Sequence, residues 1–379
     1  MAASLNETLF GDFLSAREAW LALEREADFY PFQSYAWLDT WFGTIGAAHG
    51  WSPAILLLEK AEDKSGDKAR ALLPLGFARK AGFLRLSWLG EGVSDYCGAL
   101  IAPMGSFSTD ELLGAVRRLA VQKGCGLIDL DRNPADFPSG SNPLSGAGFR
   151  LLHYKAHSTA VPSDIEAFMA ARFTSKERYN LRRAAKQLAA AGRLEFSVAE
   201  DAVARVELTA RMISLKRERY NAIGAYDNFA DPSFGDFYAA AARRPDLGVH
   251  ISALNLDGKA IALHWGLRAR QIMYYLMPVF EAGAYERYSP GMVFLREFLG
   301  RCGKDGMKRL DFTIGDEEYK SKWRDRSMDL FRFREGLGIV GKIVVVSGLF
   351  ADALRSSTLR EPLVRFRATC RRKRYAEKE

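Results

Sequence analysis

Residues 285–323 read YERYSPGMVFLREFLGRCGKDGMKRLDFTIGDEEYKSKW, and this stretch decides the fold more than any other part of the chain. Ser289-Pro290-Gly291 is typical of a helix start, because proline loses no hydrogen bond in the first helical turn. The pattern predicts a helix over residues 289–302 and a short strand over residues 308–313. A charged turn at residues 315–320 then brings acids, a phenol and an amine together.

Two kinds of chemistry meet in this stretch. The free N–H groups and the dipole of a helix N-terminus attract anions such as phosphate, and Gly291 lets a ligand approach the backbone. Asp316 and Glu317 are adjacent carboxylates, one of which can have its pKa raised toward the working pH. Lys320 can hold a phosphate or stabilise an oxyanion. The pattern indicates an enzyme with a phosphate-bearing substrate, although an ordinary helix followed by a solvated charged turn has the same sequence.

The composition is that of a soluble globular protein. The chain has 379 residues, of which 48% are hydrophobic and 26% charged, and this length predicts two or three domains' worth of core. We expect no signal peptide and no membrane-spanning segment, since no apolar run reaches 18 residues. Four scattered cysteines and five histidines without ligand spacing indicate neither a disulfide framework nor a metal site.

A proline- and glycine-rich segment at residues 133–148 separates two halves with a similar order of elements. The first half is predicted to contain helices over 33–46 and 109–123, and strands over 54–60, 70–79, 84–90 and 127–131, with a further apolar run over 97–102. The second half is predicted to contain helices over 201–221 and 232–243, and strands over 248–256, 259–268, 271–279 and 330–334, besides the elements of 289–313. Asp257-Gly258 indicates a tight hairpin. The shared order of helix, three antiparallel strands, helix and strand predicts an internal duplication.

Several short motifs occur together in a specific order. They are Pro31-Phe32-Gln33-Ser34 with Trp37 and Trp41, Ser94-Asp95-Tyr96, the run from Thr174 to Arg183, Arg287-Tyr288-Ser289-Pro290-Gly291, and residues 315–320 with Trp323. In this combination the chain resembles the FemAB-like branch of the GNAT acyltransferases, and within it the cellulose-biosynthesis-associated acetyltransferases of the CelD/BcsL type. The usual glycine-rich signature of the GNAT pyrophosphate loop is absent.

The resemblance implies an α+β fold of two tandem GNAT-like halves with mixed, mainly antiparallel sheets, over residues 1–148 and 149–338. It also implies acyl transfer from acetyl-CoA or another acyl-CoA, with the donor in the second half and no metal. The pyrophosphate would contact the helix start, formed by Tyr288, Ser289, Pro290, Gly291 and Met292. The candidate catalytic residues are Asp316, Glu317, Tyr319, Lys320 and Asp95. For Asp95 a turn-capping role fits the sequence equally well.

Other polar residues are candidates for binding the acceptor. Thr174 with Glu177 predicts a capping box, and Gly192 predicts the end of the same helix. The cations of this helix are Lys176, Arg178, Arg182 and Arg183, which could grip an anionic substrate or form a solvated face. Tyr96 beside Asp95, and His264 within a strand, are further candidates, although a lone strand histidine is often structural.

The C-terminal segment, residues 339–379, carries most of the excess charge. Residues 355–379 contain nine Lys and Arg against three Glu, a net charge of +6 out of +8 for the whole chain. We expect Ile339–Val346 to pack on the domain as a strand and helix, and the final twenty residues to contact an anionic membrane surface or a partner.

The sequence supports three hypotheses. The first is a cytoplasmic acyl-CoA-dependent acyltransferase that acts by direct attack on a saccharide or another small acceptor. The second is an aminoacyl-tRNA-dependent transferase, which FemAB relatives suggest, although no other nucleic-acid signal is present. The third is a non-catalytic scaffold in polysaccharide biosynthesis at the membrane surface.

Overall fold

The computed structural model describes residues 5–60, 68–80, 82–138, 140–146, 148–339, 341–343 and 345–346. The helices are α1 (Phe13–Glu24), α2 (Tyr35–Trp41), α3 (Thr109–Gln122), α4 (Ile165–Arg172), α5 (Ser175–Ala191), α6 (Ala202–Ile223), α7 (Pro232–Arg243), α8 (Pro290–Lys304) and α9 (Lys320–Trp323). The strands are β1 (Leu5–Phe10), β2 (Ser52–Lys60), β3 (Arg70–Lys80), β4 (Phe83–Trp88), β5 (Leu100–Ala102), β6 (Leu127–Pro134), β7 (Asp136–Phe137), β8 (Gly140–Ser141), β9 (Arg150–Leu151), β10 (Ala156–Ala160), β11 (Leu194–Val198), β12 (Val249–Leu256), β13 (Lys259–Ala269), β14 (Ile272–Phe280), β15 (Arg309–Ile314), β16 (Arg326–Met328) and β17 (Leu330–Gly336).

The predicted α+β fold of two GNAT-like halves is confirmed by the sheets. The first sheet has the order β1-β2-β3-β4-β6-β17-β9, with β5 paired to β3, and the second has the order β11-β12-β13-β14-β15-β10-β16. In each sheet an antiparallel meander is followed by one parallel pair, β4 with β6 and β14 with β15. The order of three antiparallel strands, helix and parallel strand therefore occurs twice.

Two strands that follow residue 148, β9 and β17, belong to the first sheet and so cross the division that the sequence places there. β17 pairs with β6 of the first sheet, although it was predicted as a strand of the second half. β10 lies between β15 and β16 in the second sheet, directly after the first half of the chain. Each half is therefore completed by a strand that lies next to the other half in sequence, which ties the two halves together.

The largest hydrophobic cluster spans both halves. Trp37 of α2 packs edge-on against Phe237 of α7 at a centroid distance of 4.8 Å and lies 6.4 Å from Trp265 of β13. Phe32 likewise contacts Tyr274 of β14 at 5.8 Å. Edge-to-face packing of buried rings favours a fixed mutual orientation, so this core positions the two halves on either side of the candidate site.

Local signals in the sequence account for most element boundaries. Thr174 accepts from the backbone N–H of Glu177 and forms the predicted capping box, and α5 ends at Gly192. Residues 133–148 contain the short β7–β8 hairpin and no helix in their described part.

Where residues 338–346 are described they are helical, with Ile339 81% and Val346 64% exposed. The expectation of a packed strand there is therefore wrong, and the basic tail lies outside the described residues.

Candidate active site

A wedge between β14 and β15 opens in the second sheet. The two strands are paired in parallel only from Ile272 to Tyr274, against Arg309–Asp311. Beyond this point each strand continues without the other, and a cavity of about 700 Å³ lies between them. We call it the wedge pocket; it is lined by parts of β14 and β15, the first turn of α8, the 315–320 turn, one face of α6 and Asp95 from the first half.

The first half has the same strand arrangement without a comparable opening. β4 and β6 are parallel over Arg85–Ser87 and Leu127–Asp129. Trp88 follows in β4, and its indole N–H donates to Asn133 Oδ1 at 3.1 Å across the two strands. Only about 90 Å³ of cavity remains at this position. Because a buried indole takes the space, the second half is the one with room for a substrate.

The start of α8 has no side-chain cap, and the N–H of Gly291 makes no hydrogen bond within the described residues, whereas the N–H groups of Ser289 and Met292 donate to the carbonyls of Glu286 and Ser289. Ser289 at the N-cap has φ 48° and ψ 54°, makes no side-chain capping bond, and is followed by no acidic residue in the first turn. In α3, by contrast, Ser108 and Glu111 form a capping box that satisfies the helix end internally. A helix end without an internal cap favours an anionic ligand.

A second cavity of about 910 Å³, the outer pocket, lies on the other side of the α8 start. It is lined by α5, residues 287–289 and residues 318–323, and it shares Ser289, Met292 and Tyr319 with the wedge pocket. Arg183 and Arg287 lie at its wall, and neither forms an ion pair within the described part of the chain. The guanidinium of Arg287 lies 4.7 Å from the ring centroid of Tyr288. The two pockets therefore adjoin at the start of α8, and the outer one carries these two arginines.

Asp95 brings a carboxylate from the first half into the wedge pocket. Burial raises the pKa of this carboxyl, while Arg132 and a hydrogen bond with Thr313 act in the opposite direction. Thr313 itself has φ 56°, an unusual conformation for a β-branched residue. A desolvated carboxylate with a raised pKa is suited to accept a proton near neutral pH.

The 315–320 turn divides its charged side chains between two places. Lys320 is 3% exposed, donates to the carbonyl of Ile314 at 2.8 Å and pairs with Glu317 at 2.8 Å. Lys320, Glu317 and Tyr319 line the wedge pocket, and burial raises the pKa of the Tyr319 phenol. Asp316 instead accepts from His157 Nε2 at 2.9 Å. Its carboxylate lines neither pocket, so its role is to hold the turn against β10.

Tyr96 and His264, predicted to bind the acceptor, lie inside the protein. Tyr96 is fully buried, and its hydroxyl donates to Asp311 Oδ1 at 2.8 Å. His264 is also fully buried, with Nε2 3.1 Å from the carbonyl of Tyr274 and its ring stacked on Tyr275. Because neither side chain reaches a cavity, we remove both from the candidate site.

The four cationic side chains of α5 that were predicted to bind a substrate also lie in different places. Arg183 lines the outer pocket, whereas Arg182 lies on a neighbouring groove between α5 and α8. Arg178 donates to the carbonyls of Ala170 and Phe173 and so fixes the junction of α4 and α5. Lys176 is exposed and lines neither pocket. Only one of the four is thus placed to contact a ligand in the outer pocket.

Two site residues on α6 escaped the sequence analysis. Lys216 and Arg219 both line the wedge pocket. The signal was available, because Lys216 continues the face that carries Thr209 and Met212, both fully buried. A lysine that follows a buried helical face at this spacing faces the protein and not the solvent.

No metal-binding cluster of His, Cys, Asp or Glu is found among the described residues. None of the helices in the described ranges combines the length and apolar character needed to cross a bilayer.

Comparison with known proteins agrees with this geometry. Residues 175–321 match the family model of the acetyltransferase (GNAT) domain. FemX is similar in fold, with a TM-score of 0.54, 12% identity, and coverage of 86% of this chain and 96% of that one. A conserved protein of unknown function from Bacteroides thetaiotaomicron gives a TM-score of 0.50 at 9% identity, over 86% of this chain and 99% of that one. A search of curated protein sequences finds no significant match.

The domain match over residues 175–321 and the fold together indicate an acyltransferase with a GNAT-type domain in its second half. The narrower resemblance to the CelD/BcsL type rests on the sequence motifs alone.

Proposed function

We propose that this protein transfers an acyl group from acyl-coenzyme A to an amine or hydroxyl of a saccharide or another small cell-envelope precursor. The observation that carries the proposal is the open wedge beside an uncapped helix start, adjoined by a pocket with two arginines that form no ion pair in the described part of the chain. The diphosphate of the donor would contact the N–H of Gly291 at the start of α8, with Arg183 and Arg287 on its phosphates. The acyl thioester would lie between β14 and β15.

In this proposal the acceptor attacks the thioester directly. Asp95 accepts the proton of the attacking amine or hydroxyl, the carbonyl carbon forms the new bond, and the C–S bond then breaks. Tyr319 donates a proton to the leaving thiolate, and the ammonium of Lys320 stabilises the negative charge that develops on the carbonyl oxygen. Burial raises the pKa of the Cys302 thiol to about 12 and that of Cys125 to about 11. Such thiols are poor nucleophiles, which favours a mechanism without an acyl-enzyme.

Isothermal titration calorimetry with acetyl-CoA and longer acyl-CoAs tests the donor. We expect binding by the wild type, and about tenfold weaker binding by Arg183→Ala and Arg287→Ala, equivalent to about 1.4 kcal/mol. Arg182→Ala is the matched control, since it removes the neighbouring arginine outside the outer pocket. Absence of binding across the acyl-CoA series would contradict the proposal, and so would equal losses in Arg182→Ala and Arg183→Ala.

An aminoacyl-tRNA donor is the second candidate, and the exposed cations of α5 favour it. Lys176, Arg182, Arg183 and Lys186 are all exposed on this helix beside the outer pocket. Binding of charged tRNA whose affinity falls steeply with salt, in a protein that does not bind acyl-CoA, would select this donor.

We also propose that the C-terminal segment attaches the enzyme to an anionic membrane surface. Ile339, Ile343 and Val346 are exposed on the helical residues that precede the basic tail. An apolar helix face followed by cations favours such a surface. Sedimentation with phosphatidylglycerol vesicles but not with phosphatidylcholine vesicles is the expected result, and equal recovery with both would contradict it.

A further inference from the structure

Lys216 is, with Arg219 and Glu286, one of the charged groups of the wedge pocket that the proposed reaction leaves unused. Its side chain extends from α6 into the cavity wall. Its ammonium makes no hydrogen bond or ion pair with any other residue in the described ranges. An ammonium that loses part of its hydration without gaining a partner destabilises the protein unless a ligand supplies the missing charge.

Arg219 lies one helical turn further along α6 and lines the same pocket. Its guanidinium lies 5.0 Å from the ring centroid of Phe280, at the end of β14. This contact orients the guanidinium and leaves its N–H donors free, since the side chain forms no ion pair within the part of the chain that the structure describes. Lys216 and Arg219 together form a cationic part of the wedge pocket.

Asp95 lines the same pocket and comes from the first half of the chain. The charges that act on Asp95 include Arg132, Lys320 and Glu317, and those that act on Lys216 are Arg219, Glu317 and Lys320. The Lys320–Glu317 pair is therefore common to both surroundings. Since Lys320 and Glu317 pair with each other, Lys216 and Arg219 are cations of the pocket without a carboxylate partner among the described residues, and Asp95 is a proton acceptor in the same pocket.

We propose that the wedge pocket selects an acceptor that carries an anionic group, held by Lys216 and Arg219, while its amine or hydroxyl faces Asp95. The anionic group is a carboxylate or a phosphate, because both match the donors of a lysine and an arginine on one helix face. This inference rests on the proposed acyl transfer and names the chemical class of its acceptor. A neutral sugar would leave both cations without a partner.

The titration of Lys216 supports the same view. Burial lowers its pKa to about 8, and Arg219 and Lys320 act in the same direction, while Glu317 acts in the opposite one. The other ionisable groups that line the pocket are Asp95, Tyr220, Tyr275, Glu286 and Tyr319. An anion bound beside the ammonium favours the charged form, so occupancy must raise this pKa.

Competitive labelling of lysines with 1-fluoro-2,4-dinitrobenzene tests the inference in the full-length protein. The labelling rate of each lysine is followed by mass spectrometry between pH 6 and pH 10, in chloride, acetate and phosphate solutions of equal ionic strength. We expect acetate or phosphate to raise the apparent pKa of Lys216 by about one unit, equivalent to about 1.4 kcal/mol, and to slow its labelling at pH 8 several-fold. Lys186, exposed on α5 outside both pockets, is the internal control.

Each outcome has a defined meaning. A response to acetate alone identifies a carboxylate, and a response to phosphate alone identifies a phosphate ester. In Arg219→Gln the response should shrink, whereas in Arg217→Gln, on the same helix but paired with Asp227, it should persist. Unchanged labelling of Lys216 in both anions, or an equal change at Lys186, overturns the inference. Because this experiment needs no turnover, its failure is distinguishable from a failure to bind acyl-CoA in calorimetry.

Discussion

Asp95 and Asp311 lie near each other, and burial raises the pKa of both carboxyls, yet their surroundings give them different roles. Asp311 accepts hydrogen bonds from the hydroxyl of Tyr96 and the N–H of Thr313, each at 2.8 Å, and the pKa of its carboxyl is about 6. Because both bonds are internal to the protein, Asp311 serves to join the two halves. Asp95 lines the wedge pocket and is the carboxylate that a substrate can reach.

The substitution Asp95→Asn should lower kcat by about 100-fold, as expected on removal of a general base. A base acts in its deprotonated form, so the wild-type rate should rise with pH as it passes through the raised pKa of Asp95. The variant should lose this rise in rate, which forms the acidic limb of the pH profile. Steady-state rates between pH 4 and pH 9, measured by thiol release from acyl-CoA, provide the check.

Asp131→Asn is the matched control for this measurement. Burial also raises the pKa of Asp131, and it too lies beside Arg132, but it lines the small cavity of the first half. Its variant should keep the acidic limb. A limb that persists in Asp95→Asn would show that another group is the base.

At the residue scale, the sequence predicted which residues belong to the site better than it predicted where their side chains point. Asp95, Glu317, Tyr319 and Lys320 come together in the wedge, as their motifs indicate. Asp316 is adjacent to Glu317 and yet binds His157 on the other side of the turn. Which of two adjacent side chains faces a cavity depends on strand register and turn geometry, and these are set by contacts distant in sequence.

At the scale of elements, α3 and α8 occupy equivalent places in the two halves and differ at their first turn. Glu111, the third residue of α3, closes its helix end. The corresponding residue of α8 is Met292, which lines both pockets. The two helix starts therefore differ at the N-cap, where Ser108 accepts from the helix and Ser289 does not, and at the third residue, where Glu111 is replaced by Met292.

The substitution Met292→Glu should give α8 a carboxylate in its first turn, as Glu111 gives α3. A carboxylate in the first turn interacts favourably with the helix dipole and repels a bound diphosphate. We expect at least tenfold weaker binding of acyl-CoA in calorimetry, equivalent to about 1.4 kcal/mol, without loss of thermal stability. Met292→Gln has the same shape without the charge and should bind within about threefold of the wild type. Equal affinity of the two variants would show that the diphosphate binds elsewhere.

Most element boundaries could be predicted because their signals are local. The hairpin at Asp257-Gly258, the capping box at Thr174 and the helix Pro232–Arg243 all depend on a few neighbouring residues. Lys216 was missed because the charges of α6 resemble a solvated face when the burial of its neighbours is unknown. Burial is a property of the packed structure, and the local pattern only suggests it.

At the scale of the whole molecule, the pairing of β17 with the first sheet could not be predicted. The sequence placed a strand over residues 330–334, and this strand is present, but its partner β6 lies about 200 residues earlier. Its side chains complete the first half: Leu330 is fully buried, and Arg332 donates twice to the buried Asp129, at 2.6 Å each. Pairing over such a distance depends on chain topology, which local composition does not encode.

This topology predicts that the halves fold as one unit. A chain ended after residue 329 keeps every element of the second half and loses only β17 and the C-terminal segment after it. This truncation should nevertheless destabilise the first half, because β6 loses its neighbour β17 with the buried Leu330, and Asp129 keeps only Arg85 of its three cationic partners. Removing the partner of a buried charge costs about 3–5 kcal/mol, a large share of the stability of a typical domain.

A chain ended after residue 346 is the matched control, since it retains β17 and lacks the basic tail. Circular dichroism during thermal unfolding should show one cooperative transition for this control, close to that of the full chain. For the chain ended at 329 we expect a transition at least about 10 °C lower or none at all, together with loss of acyl transfer, because Asp95 reaches the wedge pocket only from a folded first half. If the two truncated chains unfold at the same temperature, β17 does not join the halves and the wedge pocket must be supported by the second half alone.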